Sequence, residues 1–139
     1  MTVKSFASSP VISVMLIVPD AAAAVDWYKT ALEATELWNL GGVAGLEISG
    51  APFFLHEVNP DQPAEASPGQ IGATSTRIEV FVDDPDAFVE RAVSAGATAG
   101  DGVVDHRAPW GTHRQGGFKD PFGHSWSVGD TSPLRRFPG

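Results

Sequence analysis

A chain of 139 residues is long enough to bury a core as one compact unit. It has no cysteine, which excludes disulfides, thiolate metal sites and a cysteine nucleophile. Nine Lys and Arg against seventeen Asp and Glu leave a formal charge of −8, which repels phosphate backbones and argues against nucleic acid as a partner. The acidic surface favours solubility or draws a cationic ligand.

The opening stretch MTVKSFASSP has no long apolar run and no later segment reaches membrane-spanning length, so a soluble, cytoplasmic protein without a membrane partner is expected. Val11 to Val18 reads as an apolar strand ending at Pro19. Asp20 is placed to accept hydrogen bonds from the first free amides of a helix, along which Val25, Tyr28 and Leu32 fall on one face. Three strands are predicted next, at Thr35 to Leu40, Val43 to Ser49 and Pro52 to Val58, punctuated by glycines at 41, 42, 45 and 50. Residues 59–75, with Pro60, Pro63, Pro68, Gly69 and Gly72 and no hydrophobic period, read as a linker.

The plan then repeats. Arg77 to Val82 is a strand, Asp84 a cap, and Pro85 stands at the first helical position, where its missing amide costs nothing. Phe88, Ala92 and Val93 form the buried face of that helix, and Gly96 is available to end it in a left-handed conformation. Strands near Thr98 to Val104, Arg114 to Lys119 and Ser125 to Val128 complete the unit, and the tail beyond Asp130 is expected to be poorly ordered. Ser13 to Ala31 (SVMLIVPDAAAAVDWYKTA) and Arg77 to Ala95 (RIEVFVDDPDAFVERAVSA) are thus two copies of one strand-to-helix phrase. A single domain of two modules, about 11–58 and 76–129, is expected to enclose a cavity.

Three phrases, LIVPDAAAAVDWYKTAL, VFVDDPDAFVERAVSAGA and KDPFGHSWSV, resemble the vicinal-oxygen-chelate superfamily. It includes glyoxalase I, bleomycin-resistance proteins, fosfomycin-resistance enzymes and extradiol dioxygenases. The similar segments span most of residues 11 to 129. The resemblance implies an α+β fold, with two βαβββ modules forming an incomplete β-barrel around a cavity, and a homodimer. Family members that do metal chemistry hold the ion with His, Gln or Glu at positions that fall here on Ser13, Phe54, Arg77 and Ser127. This set offers no imidazole or carboxylate for a divalent ion, and Arg77 stays cationic and repels it. No metal and no cofactor are therefore expected, and no P-loop, dinucleotide fingerprint or nucleophile elbow is present.

Strand alternation puts Arg77, Glu79 and Phe81 on one face and Ile78, Val80 and Val82 on the other. Arg77 has two readings: the anchor of a ligand carboxylate, carbonyl or phosphonate, held by Glu79, or one half of a structural ion pair. His56, on the same face as Phe54, is a ligand contact or general base on one reading and a sheet-bound histidine on the other; Glu57 points the opposite way. His106, His113 and His124 lack a tight metal-ligand spacing, and His124 suits a structural role after the Asp120-Pro121-Phe122-Gly123 turn. Ala108 to Phe118 reads as an ordered loop whose Trp110 walls the cavity or packs on the neighbouring module. Ser13, Met15 and Trp38 are further ligand contacts, whereas Trp126 and Trp27 are expected in the packing.

The function expected is metal-independent binding of a small, aromatic or antibiotic-like molecule in the cavity, by sequestration as in bleomycin resistance proteins. The alternative is a lyase, isomerase or dioxygenase acting on a small metabolite with His56 or Glu79 as catalytic base; a third reading is an assembly domain whose cavity is filled by its own aromatics.

Overall fold

The computed structural model describes residues 9–109 and 111–134. The first module runs β1 (Met15–Val18), α1 (Ala21–Ala31), β2 (Thr35–Asn39), β3 (Val43–Ile48) and β4 (Ala51–Glu57). After a short helix α2 (Pro68–Ile71), the second runs β5 (Arg77–Phe81), α3 (Pro85–Ser94), β6 (Thr98–Ala99), β7 (Val104–Ala108), β8 (Gly111–Lys119) and β9 (Ser125–Gly129). Both long helices start as the sequence reads: Asp20 accepts from the Ala23 amide and Asp84 from the Ala87 amide, each at 3.1 Å. Gly96 follows α3 at φ 115°, a conformation that favours glycine.

Each module folds into its own sheet, and the two sheets share one plan. The order is β1-β4-β3-β2 in the first and β5-β9-β8-β6 in the second, with β7 also on β8. In each, the opening strand pairs in parallel with the closing one, β1 with β4 and β5 with β9. Among the described residues the two sheets form no closed barrel, and the α+β class expected from the sequence is the one observed.

A single apolar core serves both modules. Leu16 and Val18 of β1, Phe53 and Leu55 of β4, and Trp126 and Val128 of β9 are all buried in it. Tyr28 of α1 lies edge-on to Phe53 at 5.6 Å and tilted to Trp126 at 5.9 Å, and Phe53 meets Trp126 at 5.9 Å. The helix-bearing sides of the two sheets therefore close on each other around α1. By strand alternation, their opposite faces open away from this core.

The Asp120-Pro121-Phe122-Gly123 turn clasps the modules together. The Asp120 carboxylate, almost fully buried, accepts from the Tyr28 hydroxyl at 2.5 Å and from Trp126 Nε1 at 3.0 Å through one oxygen. Its other oxygen accepts from the Phe122 and His124 amides, both at 3.0 Å. His124 Nε2 donates to the Ile17 carbonyl of β1 at 2.8 Å, and Trp27 Nε1 to the Ala95 carbonyl at 2.8 Å. The structural readings of His124, Trp27 and Trp126 hold.

Three local expectations are corrected. The first strand begins at Met15, not Val11, although the Val14 carbonyl still accepts from the Phe54 amide. Part of the 59–75 linker is built into the domain: Ser67 is buried, its hydroxyl and the Gly69 amide donate to the Phe122 carbonyl, and α2 seats on Gly123, where any Cβ would stand 2.6 Å from the Gly69 nitrogen. Ala108 to Phe118 is less of a loop than expected: the strand predicted at Arg114 to Lys119 begins earlier, at Gly111. β7 and β8 form an antiparallel hairpin across it, with Gly116 lying under Val103 and Gly117 against the Trp126 carbonyl, so these glycines serve close approach within a strand. Trp110 lies outside the described residues, as do 135–139 of the tail.

Candidate functional site: two hollows of unlike chemistry

The outward face of the first sheet carries an aromatic row. The registers align Met15, Phe54, Gly45 and Trp38 across β1, β4, β3 and β2. A Cβ at Gly45 would stand 2.4 Å from Trp38 Nε1, so the indole lies in the space a side chain there would fill. Trp38 and Phe54 rings are 6.4 Å apart. With Ser13, Leu37 and Pro52 they line a hollow of about 250 Å3. Trp38 remains 43% exposed and Met15 41%, although both are large apolar side chains. His56 is the next outward residue on β4 after Phe54, and its Nδ1 meets the Glu57 carbonyl at 2.7 Å; a carbonyl only accepts, so Nδ1 carries a proton, and in the neutral ring Nε2 is the acceptor. Glu57 points to the helix side as expected, accepting from the Ala21 amide at 3.0 Å.

The outward face of the second sheet is polar. Arg77, Val104, His106, Gln115, Gly117 and Ser127 are among the residues lining a hollow of about 280 Å3. Arg77 binds Glu79 through Nη2 at 2.8 Å and Nε at 3.3 Å, with its side chain 63% exposed. The pair forms as the sequence suggests, and solvent access makes the guanidinium inexpensive to keep. Ser127 is only 6% exposed and accepts from Gln115 Nε2. His113 Nε2 donates to Gln115 Oε1 at 3.0 Å, and His106 stacks on the His113 ring at 5.6 Å. On the other face of β8, Arg114 binds Asp86 at 2.6 Å and Asp105 at 3.2 Å, and that hydrogen-bonded guanidinium holds the Asp86 carboxyl below its ordinary range.

Ser13, Met15, Trp38, Phe54 and His56 thus share one face, and Arg77, Glu79 and Ser127 another. Where the sheet edges β1 and β5 approach, a crevice of about 170 Å3 brings Glu79 beside Val14 and Leu16. His106 and Gln115 line the second hollow, and His113 reaches it through its hydrogen bond to Gln115; the sequence reading assigned none of the three to a ligand site. The signal was present in the alternation of His113, Gln115 and Gly117 against Arg114, Gly116 and Phe118.

Residues 11–128 match the sequence model described as Glyoxalase/Bleomycin resistance protein/Dioxygenase superfamily. The chain belongs to this superfamily. An uncharacterized protein of Mycobacterium bovis is 38% identical over 134 residues, covering 91% of this chain and 85% of that protein. The structure of TioX from Micromonospora sp. ML1 superposes with a TM-score of 0.68 at 24% identity, over 88% of this chain and 98% of that one. A fosfomycin resistance protein, FosX from Mesorhizobium loti, superposes with a TM-score of 0.63 at 13% identity, over 89% and 93%. These likenesses establish the glyoxalase-type fold.

The four residues that the family resemblance sets at metal positions do not fit a divalent ion. Phe54 offers no donor, Arg77 brings a cation, and Ser13 and Ser127 supply only neutral hydroxyls. Among the described residues, no group of three or more His, Asp or Glu is placed to hold a metal elsewhere.

Proposed function

We propose that this protein binds a small organic molecule without a metal, its flat apolar part against Trp38 and Phe54 and an acceptor group toward Arg77 and Ser127. The binding is of the sequestering, antibiotic-resistance kind and cytoplasmic. The observation that carries the reading is the division of chemistry: one hollow offers an open aromatic platform, the other hydrogen-bond donors, and each alone is half of a ligand site. Two copies pair as a homodimer so that the aromatic hollow of one protomer faces the donor hollow of its partner, covering the exposed Met15 and Trp38. The bleomycin-resistance members of the superfamily and the likeness to FosX support the resistance reading.

Complementation tests this. The ligand is the tightest binder from a panel of planar antibiotics and aromatic acids. Trp38→Ala and Arg77→Ala chains are each expected to bind it weakly. Unfolded and refolded together, they form mixed dimers with one intact site and one doubly damaged site, so calorimetry should find parent-like affinity at reduced stoichiometry. A mixture that titrates as the plain average of the two variants, or a parent that light scattering finds monomeric at micromolar concentration, overturns the pairing.

The second reading is an enzyme of the superfamily, favoured by His56 Nε2, whose lone pair is positioned by the bond at Nδ1 to act as a base. Conversion of the bound ligand by the parent, abolished by His56→Gln with binding retained, would establish it.

A further inference from the structure

We infer that Gln115 sets the hydrogen-bonding polarity of the second hollow, so that the hollow selects ligands that accept a hydrogen bond at Ser127. This rests on the binding reading above and names which group that site takes. A primary amide has one accepting and one donating end. His113 Nε2 meets the oxygen of Gln115, which only accepts, so the imidazole supplies that proton. The amide nitrogen is thereby turned to Ser127, whose hydroxyl oxygen receives it. The hydroxyl has one proton of its own to give, and no acceptor for it appears among the hydrogen bonds of the described residues.

Ser127 is nearly buried on the floor of the hollow, and a buried donor left without an acceptor is unfavourable. A ligand acceptor there completes the chain; a ligand donor meets a donor. The same imidazole stacks with the cross-strand His106 ring at 5.6 Å on the β7–β8 hairpin. Gln115 is thus a positioning residue, acting on the ligand through Ser127. Its effect is separate from the charge of Arg77, since it applies equally to neutral ligands.

The test uses two neutral probes, acetophenone as an acceptor and indole as a donor, titrated into the parent, Gln115→Glu and Gln115→Met. In Gln115→Glu both carboxylate oxygens accept, so Ser127 turns its proton to residue 115 and presents its lone pairs to the hollow. The parent should favour acetophenone by about tenfold, Gln115→Glu should reverse the order, and Gln115→Met should bring the ratio toward one. An unchanged ratio in both variants overturns the inference.

A readout that needs no ligand is the tautomer of His113 by nitrogen-15 NMR. The parent should carry the proton on Nε2, and Gln115→Met should release that preference. A parent protonated only on Nδ1 overturns the inference whatever binds. Failure of both probes to bind at millimolar concentration, with Nε2 protonated, would instead count against the binding reading and leave the Gln115 orientation supported.

Discussion

The two hollows are built from one strand-helix-three-strand plan and share almost nothing in chemistry. The first presents Met15, Phe54 and Trp38 in a row over a glycine; the second presents Arg77, Gln115 and Ser127 with a stacked histidine pair. Their inward faces, by contrast, remain alike: apolar strands under a helix started by an aspartate. The difference follows from strand alternation. Inward residues of both modules meet in one core and constrain each other, whereas outward residues line the two hollows.

The largest expected effect breaks both hollows together. Asp120→Ala leaves the Tyr28 hydroxyl, the Trp126 indole nitrogen and two amides without their acceptor, and should cost roughly 3–5 kcal/mol in urea unfolding. A loss below about 1 kcal/mol would mean that the turn does not join the modules. Next come substitutions that separate the two faces. With an acceptor-bearing aromatic ligand, Arg77→Ala should lower affinity by about 1.5–3 kcal/mol and Trp38→Ala by about 0.5–1.5 kcal/mol beyond its area contribution. Circular dichroism should find both folded. Equal losses for ligands lacking either group would contradict the assignment of roles.

A pH experiment probes the shared support instead of either face. Burial, and then the neighbouring Asp120, push the Tyr28 phenol well above its ordinary value. In the unfolded chain a tyrosine releases its proton near pH ~10, so the unfolded state gains from deprotonation first. The stability Tyr28 contributes is full below that pH and is lost as pH rises toward the higher folded value. Tyr28→Phe should flatten this alkaline decline, measured by urea unfolding at a series of pH values. An unchanged slope would remove Tyr28 as its source.

The smallest effect sharpens the contrast. Gly45→Ala drives a Cβ into the Trp38 indole, so the ring must leave its seat. Stability should fall by only about 1 kcal/mol because Trp38 is already half in solvent. Tryptophan fluorescence should shift to the red, and the second hollow should keep its His113 tautomer.

How much of this was legible in sequence depended on which physical signal each region carries. The paired helices were legible because a capping aspartate, a periodic face and Pro85 at the first turn act locally. The division of Arg77, Glu79 and Phe81 from Ile78 and Val80 was legible because alternation is strict along a strand. Gly116 and Gly117 stand inside a strand because a neighbour approaches closely, a demand that the sequence alone does not display. The strand from Arg114 was legible, but its start at Gly111 was not, and with that start went the placement of His113. Ser67 and Pro68 carried a helix-start signal, but the seat that makes it stable is Gly123, far along the chain. The arrangement of the two sheets around α1 was not legible either, because residues such as Phe53 and Trp126 read as core without saying whose core they enter.

The Asp120 clasp has a consequence for how the chain comes apart. A carboxylate that serves a tyrosine from one half and a tryptophan from the other makes neither half self-sufficient. A fragment ending before the second copy would strand Tyr28 without its acceptor, and one beginning there would open Trp126 to water. The molecule should therefore melt in a single cooperative transition, its calorimetric and van't Hoff enthalpies equal. What began as a doubling of one small unit has given up the independence of its parts, and only its two outward faces still behave as separate surfaces.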